Sequence, residues 1–417
     1  MRKGYKAIRS DFERTIGPFY AFRYRNFRLF FVGQFISVVG TWMQNVAQSW
    51  LVYDLTHSAA WLGIVAGATA IPFLLTIWGG QIADRFSRRD ILIWTQTLSM
   101  FLAFVMAILA TNRWIPIQPW HIALLAALLS IVNAFNRPAQ QAFITDMVDD
   151  RAALPNAIAL NSFRFNTARF LGPALAGIAL VKLGVAYCFA LNGISFLAVI
   201  ISLKMMRLTE TPHNSERPNL WGGFRYIWQN HSALRVIILL GCGSLFAFSA
   251  STLYPVFAYL FHSGAKGYSN MMSCNGAGAA IGGFVVAVLG SGFSRIAGIY
   301  GGAILFCVSL LIISSTSHFY VVLGALVFAG FSMIFFQITA NIKMQEDVPD
   351  DLRGRVMAIF TLIFGGFMPL GGLLAGFLAQ RFGAVHTVEV NSSICIVAVL
   401  ATYLWSLIER RETTSQE

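Results

Sequence analysis

Two rows of polar side chains interrupt long apolar stretches in this 417-residue chain. Gln34, Ser37, Thr41, Gln44, Asn45 and Gln48 share an arc of about 100° if their segment is helical, and so do Ser130, Asn133, Arg137, Gln140 and Gln141. Amides, hydroxyls and a guanidinium are recognition groups: they exchange hydrogen bonds with a partner and make or break no covalent bond. Residue sets that do bond chemistry are missing. The 7 histidines are scattered, with no His-Glu-x-x-His, no nucleophile elbow and no Gly-x-x-x-x-Gly-Lys-Ser/Thr loop. A membrane enzyme and an ATP-driven pump are therefore disfavoured, and neither metal nor other cofactor is expected. Cys188, Cys242, Cys274, Cys307 and Cys395 stand inside apolar stretches at no ligand spacing and read as packing residues.

Three arginines, Arg137, Arg164 and Arg169, lie in the same apolar surroundings. A cation there is expensive and implies a partner. Arg137 is close enough to one end of its stretch to snorkel or to join a loop network. Arg164 and Arg169 have Asn161 and Asn166 nearby and no acid, so an anionic or carbonyl-rich substrate, or an acid from another helix, would neutralise them. Later in the chain Ser244, Ser249, Tyr254, Phe335, Phe336, Gln337 and Asn341 offer aromatic faces with few charges. A cavity polar on one side and aromatic on the other suits an amphipathic organic molecule. Asp54 and Glu389, at the ends of apolar stretches, are the acids that could titrate; none stands mid-stretch.

The elements that carry these residues follow from composition. Hydrophobic residues make up 57% of the chain, charged ones 12%, and mean hydropathy is +0.65, so a lipid bilayer rather than water is the expected solvent. Apolar stretches of roughly 20 residues, enough to cross a hydrocarbon core, recur near 28–53, 60–82, 90–111, 119–143, 154–181, 184–205, 234–261, 268–290, 296–315, 319–342, 356–380 and 387–408. They show no alternation, which favours helices over barrel strands.

A net charge of +12 raises the possibility of nucleic acid, yet its distribution marks topology instead. Only Arg113, Lys182, Lys266 and Arg381 fall on the face opposite both termini. The positive-inside rule then puts both termini in the cytoplasm of a multi-pass protein of the inner (plasma) membrane, with no nucleic-acid partner. The basic segment 1–27, in which Phe19, Tyr20, Phe22 and Tyr24 interleave with Arg23 and Arg25, signals that topology and is compatible with a lipid-surface anchor. The first apolar run is too long for a signal peptide. A polar stretch over 206–233, with an amphipathic-looking Trp221 to Trp228, separates six spans (28–205) from six (234–408), and 409–417 forms a tail.

An internal repeat supports that division. Asp146-Met-Val-Asp-Asp-Arg151 returns half the chain later as Asp347-Val-Pro-Asp-Asp-Leu-Arg353, and Gly80-Gln-Ile-Ala-Asp-Arg-Phe-Ser-Arg-Arg89 has a weaker echo, without the acid, in Gly290-Ser-Gly-Phe-Ser-Arg295. Small-residue pairs at Gly63/Gly67, Gly172/Ala176, Gly278/Gly282 and Gly372/Gly376 allow close helix approach. They predict that the second, fifth, eighth and eleventh spans meet between the two halves.

Gly80-x-x-x-Asp84-Arg85-x-x-Arg88-Arg89, directly after the second span, resembles the signature loop of the major facilitator superfamily, with Ser87 where that pattern usually has glycine. The resemblance extends over Tyr24-Arg-Asn-Phe-Arg28, Gly33-Gln-Phe-Ile-Ser37, Gly40-Thr-Trp-Met-Gln44, Trp50-Leu-Val-Tyr-Asp-Leu-Thr56, Asn136-Arg-Pro-Ala-Gln140 and Leu171-Gly-Pro-Ala174, essentially the whole chain. It points to the branch that includes enterobactin exporters and macrolide efflux pumps. Gly172-Pro173-x-x-Ala176-Gly177 is similar to the antiporter motif of that superfamily.

The resemblance implies an all-α membrane protein of about twelve transmembrane helices in two pseudo-symmetric six-helix bundles. It implies that Asp84 secures the cytoplasmic end against the eleventh helix and that Arg85 or Arg88 pairs with Asp146. The first, fourth, seventh and tenth helices would line a central cavity. Gln34, Thr41, Gln44, Gln48, Asn133, Arg137, Gln140, Arg164, Arg169, Tyr254 and Gln337 are its candidate lining, and interhelical hydrogen bonding is the alternative role for the two polar rows. The implied function is secondary export of an amphipathic small organic molecule, siderophore or drug-like, by alternating access, with protons as the coupling ion and Asp54 or Glu389 as candidate carriers. A monomer is expected. A lysophospholipid or lipid flippase, an uptake symporter of the same fold, and a non-transporting sensor or scaffold are the alternatives.

Overall fold

A computed structural model describes residues 19–70, 75, 86–111, 116–148, 150–207, 220–290 and 292–414. Apolar segments close their own backbone hydrogen bonds as helices, and no strand occurs among the described residues. The helices are α1 (Arg25–Thr56), α2 (Ala59–Gly67), α3 (Arg88–Thr111), α4 (Pro119–Asp146), α5 (Leu154–Lys182) and α6 (Val185–Met205), then α7 (Leu220–Gln229) in the central polar stretch. After it come α8 (His231–Leu260), α9 (Gly264–Leu289), α10 (Arg295–Ser315), α11 (Phe319–Asp347), α12 (Asp350–Phe382) and α13 (Ala384–Thr414). Among the described residues, 10 helices are long and apolar enough to cross a membrane. The expected span 60–82 is described mainly as the short α2. The expected span 154–181 appears as α5, 29 residues long but too polar, with Asn161, Arg164, Asn166 and Arg169, to count with the others.

The long helices alternate in direction. One end, the proximal face, carries residues 20–24, 147–148, 150–153, 290, 292–294 and 348–349; the other, the distal face, carries 57–58, 183–184, 261–263 and 383. α1 packs along α5 and α6, and α3 along α4 and α6; in the second set α11 packs along α9 and α10, and α10 along α13. Two seams join the sets, α5 against α9 and α2 against α12. On the proximal side the chain's start is tied down: the Ala21 amide donates to Asn156 Oδ1 (2.9 Å) and Asn26 Nδ2 to the Arg207 carbonyl (2.8 Å), while Phe22 packs edge-on against Phe31.

The small-residue pairs hold the expected interface only at one seam. A side chain at Gly63 would lie 3.0 Å from Gly376 Cα, so α2 and α12 touch backbone to backbone. Gly172 instead faces Trp42 of α1, and Gly278 faces the Val327 carbonyl of α11 at 1.9 Å, both inside their own set. The α5–α9 seam is made by other small residues: Gly276 against the Arg169 carbonyl (2.6 Å) and Gly177 against Ser269 (2.8 Å). Spacing reveals that a helix has a flat side and is silent on which neighbour uses it.

α8 is one continuous crossing with a broken register. Its α-helical turns His231–Cys242 give way to a π segment, Gly243–Ala247, then a 3-10 segment, Phe248–Leu253, before Tyr254–Leu260 resumes. Carbonyls set loose by that change are taken up by hydroxyls: Ser249 donates to Leu245 (3.0 Å) and Phe246 (2.9 Å), and Ser251 to Phe248 (3.0 Å). Such irregular backbone at membrane depth survives only where local partners satisfy it.

Candidate functional site at the seam between the two sets

α1 and α4 carry the two polar rows, and the fold divides their members. Gln44 is 3% exposed and its Oε1 accepts from Asn192 of α6 at 2.7 Å, so this side chain ties α1 to α6. Gly40 sits on the same contact, with room for no side chain beside Ser195 and Asn192. Gln34 is buried, its Nε2 without a partner among the described residues. Thr41 caps the Ser37 carbonyl (2.9 Å) and is partly exposed, as is Gln48. On α4, Asn133 and Gln140 are partly exposed, Arg137 is exposed, and Ser130 donates to the Thr69 carbonyl (3.0 Å), fastening α4 to the chain after α2. Gln337 of α11 is partly exposed and Tyr254 of α8 is buried. Asp54 is exposed in the last turns of α1, and Glu389 is partly exposed near the distal start of α13.

Among the described residues, Arg137, Arg164 and Arg169 join no ion pair. Arg164 is 3% exposed, lies over the Phe30 ring (5.6 Å), and leaves Nε and Nη1 without partners. Arg169 is partly exposed on the seam itself. Its Nη2 donates to Asn275 Oδ1 of α9 (3.0 Å), and its guanidinium lies over Trp42 of α1 (5.6 Å). Three helices, α1 and α5 of one set and α9 of the other, therefore meet at one cation.

Among the described residues, the polar and aromatic contacts joining the two sets gather between Arg169 and the distal face. Ser58 Oγ donates to Gln380 Oε1 (2.8 Å), Trp50 stacks on Tyr268 (6.3 Å between centroids), and Tyr53 and His57 both pack on Tyr259 (5.8 and 5.3 Å). The distal end is thereby closed. At the proximal end, Arg88 Nη1 donates to Asp146 Oδ1 (2.8 Å) and Oδ2 (3.1 Å), and Arg89 to the Lys204 carbonyl (3.1 Å). Gly80, Asp84 and Arg85 lie outside the described residues. The Arg88–Asp146 pair has a counterpart in the second set, where Arg295 meets Glu346 at 3.2 Å. Both pairs join the start of one helix to the end of the next, so the weaker sequence echo corresponds to a repeated contact.

The fold also assembles groups that sequence spacing did not. A cavity of about 450 Å³ on the proximal side, between α8, α10, α11 and α13, is lined by His231, Arg235, Tyr300, Lys343 and Glu409. Arg235 and His231 both pair with Glu409, and Lys343 with Asp347. The only sequence signal was a charge at the end of three separate spans. Cys242 and Cys395, far apart in the chain, approach to 3.7 Å; among the described residues no group of His, Cys, Asp and Glu is placed to hold a metal.

The geometry thus comprises a distal closure, an arginine-bearing seam and proximal ion pairs, and the profile of the transmembrane secretion effectors, a family of the major facilitator superfamily, matches residues 16–417. The chain belongs to that family. The staphyloferrin A transporter of Staphylococcus aureus is 28% identical over 89% of this chain and 94% of its own length. Macrolide efflux protein A of Streptococcus pyogenes is 23% identical over 90% and 96%. A POT family transporter, solved with 5-aminolevulinic acid, shares the fold at a TM-score of 0.71 and 12% identity, over 92% of this chain and 96% of that one. This secretion-effector chain is thus a multi-pass membrane transporter of small molecules, in a family of transporters rather than enzymes.

Proposed function

We propose that this transporter exports an amphipathic organic molecule, siderophore or drug-like, across the plasma membrane by alternating access, in exchange for protons. The observation that carries the reading is the asymmetry of the seam: closed from Arg169 to the distal face by Ser58–Gln380 and the Tyr53–Tyr259 contact, with Arg137, Gln140 and Gln337 accessible below it. Basic residues on the proximal side favour the cytoplasm there, so this is the state in which an exporter loads. The two helix sets, 28–205 and 234–408, act as the rocking bundles of a protein that works as a monomer. Asp84 and the Arg88–Asp146 pair brace the cytoplasmic end when the seam inverts. The printed functions of the relatives, a siderophore transporter and a macrolide efflux protein, support the substrate kind.

The test is accumulation of siderophores, macrolides and lysolipids in cells with and without the protein. Lower accumulation of a siderophore or macrolide is expected; raised accumulation overturns export, and movement of lysolipid alone favours a flippase. Proton coupling is tested in proteoliposomes, where substrate is expected to trigger proton release. An unchanged signal in Asp54→Asn removes Asp54 as the carrier.

A further inference from the structure

A buried cation in a transporter has to find its counter-charge somewhere in the cycle. Arg164 and Arg169 have none among the described residues, and Arg169 occupies the point where the distal closure begins. Its one hydrogen bond across the seam goes to the neutral Asn275 amide oxygen, 3.0 Å away. Next to that bond, Gly276 lets α9 lie directly on the Arg169 carbonyl, since a side chain there would fall 2.6 Å from the oxygen. Arg169 is partly exposed, whereas Asn275 is 6% exposed, so of the two residues the arginine is the more accessible to a ligand.

We infer that Arg169 is the receptor for an organic anion presenting a carboxylate, and that this carboxylate displaces Asn275 from Arg169 and thereby loosens the α5–α9 seam. The inference rests on the transport reading and sharpens it by naming the substrate class and the coupling contact. A carboxylate accepts two parallel, charge-assisted bonds from a guanidinium, and an amide oxygen accepts one weaker bond, so the exchange is favourable at that site. The Trp42 face beneath the guanidinium (5.6 Å) supplies an apolar seat for the rest of an amphipathic anion. Because α5 and α9 lose their polar link when the ligand binds, ligand affinity is higher for the distally open state. That differential affinity is what a ligand needs in order to shift a conformational equilibrium. Arg164, over Phe30, adds positive potential from behind the seam.

The experiment compares 1-naphthoate with its uncharged isostere 1-naphthamide, binding to the full-length protein in nanodiscs by calorimetry. Wild type is expected to prefer naphthoate by about tenfold or more, and Arg169→Gln to bring the two to parity. Arg169→Lys should keep part of the preference, because it retains charge without the fork. Asn275→Ala should tighten naphthoate binding several-fold by removing the competitor. A purely structural Arg169–Asn275 bond predicts the opposite: both Arg169→Gln and Asn275→Ala weaken binding alike. Equal affinity for acid and amide, or parallel losses in those two variants, overturns the inference. If Arg169→Gln fails to fold, Arg169→Lys and Asn275→Ala still decide it. Macrolide efflux without any naphthoate preference sinks the anion receptor and leaves export standing; a naphthoate preference without flux does the reverse.

Discussion

Arg164 shows what a single residue can reveal about a transporter. A guanidinium 3% exposed, over the Phe30 ring and with Nε and Nη1 unbonded among the described residues, is a destabilising feature, since desolvating a charge costs several kcal/mol unless a partner returns the energy. A chain selected for stability alone would carry an apolar side chain there. Arg164→Met is therefore expected to stabilise the purified protein by about 1–4 kcal/mol, read as a higher melting temperature, while flux falls. A lower melting temperature would mean that a partner already neutralises the cation. Gln44 is the contrasting case. It belongs to the same polar row, yet its bond to Asn192 makes it a fastener, and spacing alone could not separate it from Thr41 and Gln48, because a helix turns both toward one half of its circumference.

At the scale of elements, glycine decides how closely helices lie. α9 and α11 touch where Gly278 faces the Val327 carbonyl and Gly330 faces the Asn275 carbonyl, each at 1.9 Å from a would-be Cβ. Gly278→Ala is expected to lower stability by about 1–3 kcal/mol through overpacking. Gly324, in the same helix α11 with nothing within 4 Å, is the control: Gly324→Ala should be neutral or stabilising by up to about 1 kcal/mol. Melting curves of the two variants in one detergent check both, and similar shifts would refute the close contact. Gly330 fixes the Asn275 backbone and so holds the amide that meets Arg169. In α8 the π and 3-10 segments also depart from what hydropathy announces, because Gly243, Ser244, Ser249 and Ser251 read as ordinary small residues until the register of their backbone is seen.

At the scale of the molecule, the proposed alternating access requires one end of the seam to open as the other closes. Ser58 and Gln380 mark the distal end, joined at 2.8 Å. Cross-linking Ser58→Cys to Gln380→Cys is expected to reduce flux at least about tenfold and a reductant to restore it, since a fixed distal end removes one of the two states that alternating access needs; transport that persists with the bond formed would refute the gate. The five native cysteines lie within the helices and are buried or partly buried. The sequence by itself determined the class of solvent, the helical nature of the spans, the polar stretch between the two helix sets and the family loop, because length, apolar continuity and charge at span ends act locally along the chain. The family resemblance offered Arg85 or Arg88 as the partner of Asp146, and the structure pairs Asp146 with Arg88. Tertiary structure alone decided which polar residues are fasteners and which are accessible, that Arg295 meets Glu346, that His231, Arg235 and Glu409 share a cavity, and that Arg169 sits on the seam. Those facts depend on how helices rotate and pair in three dimensions, and a helix's own sequence fixes neither its rotation nor its neighbour.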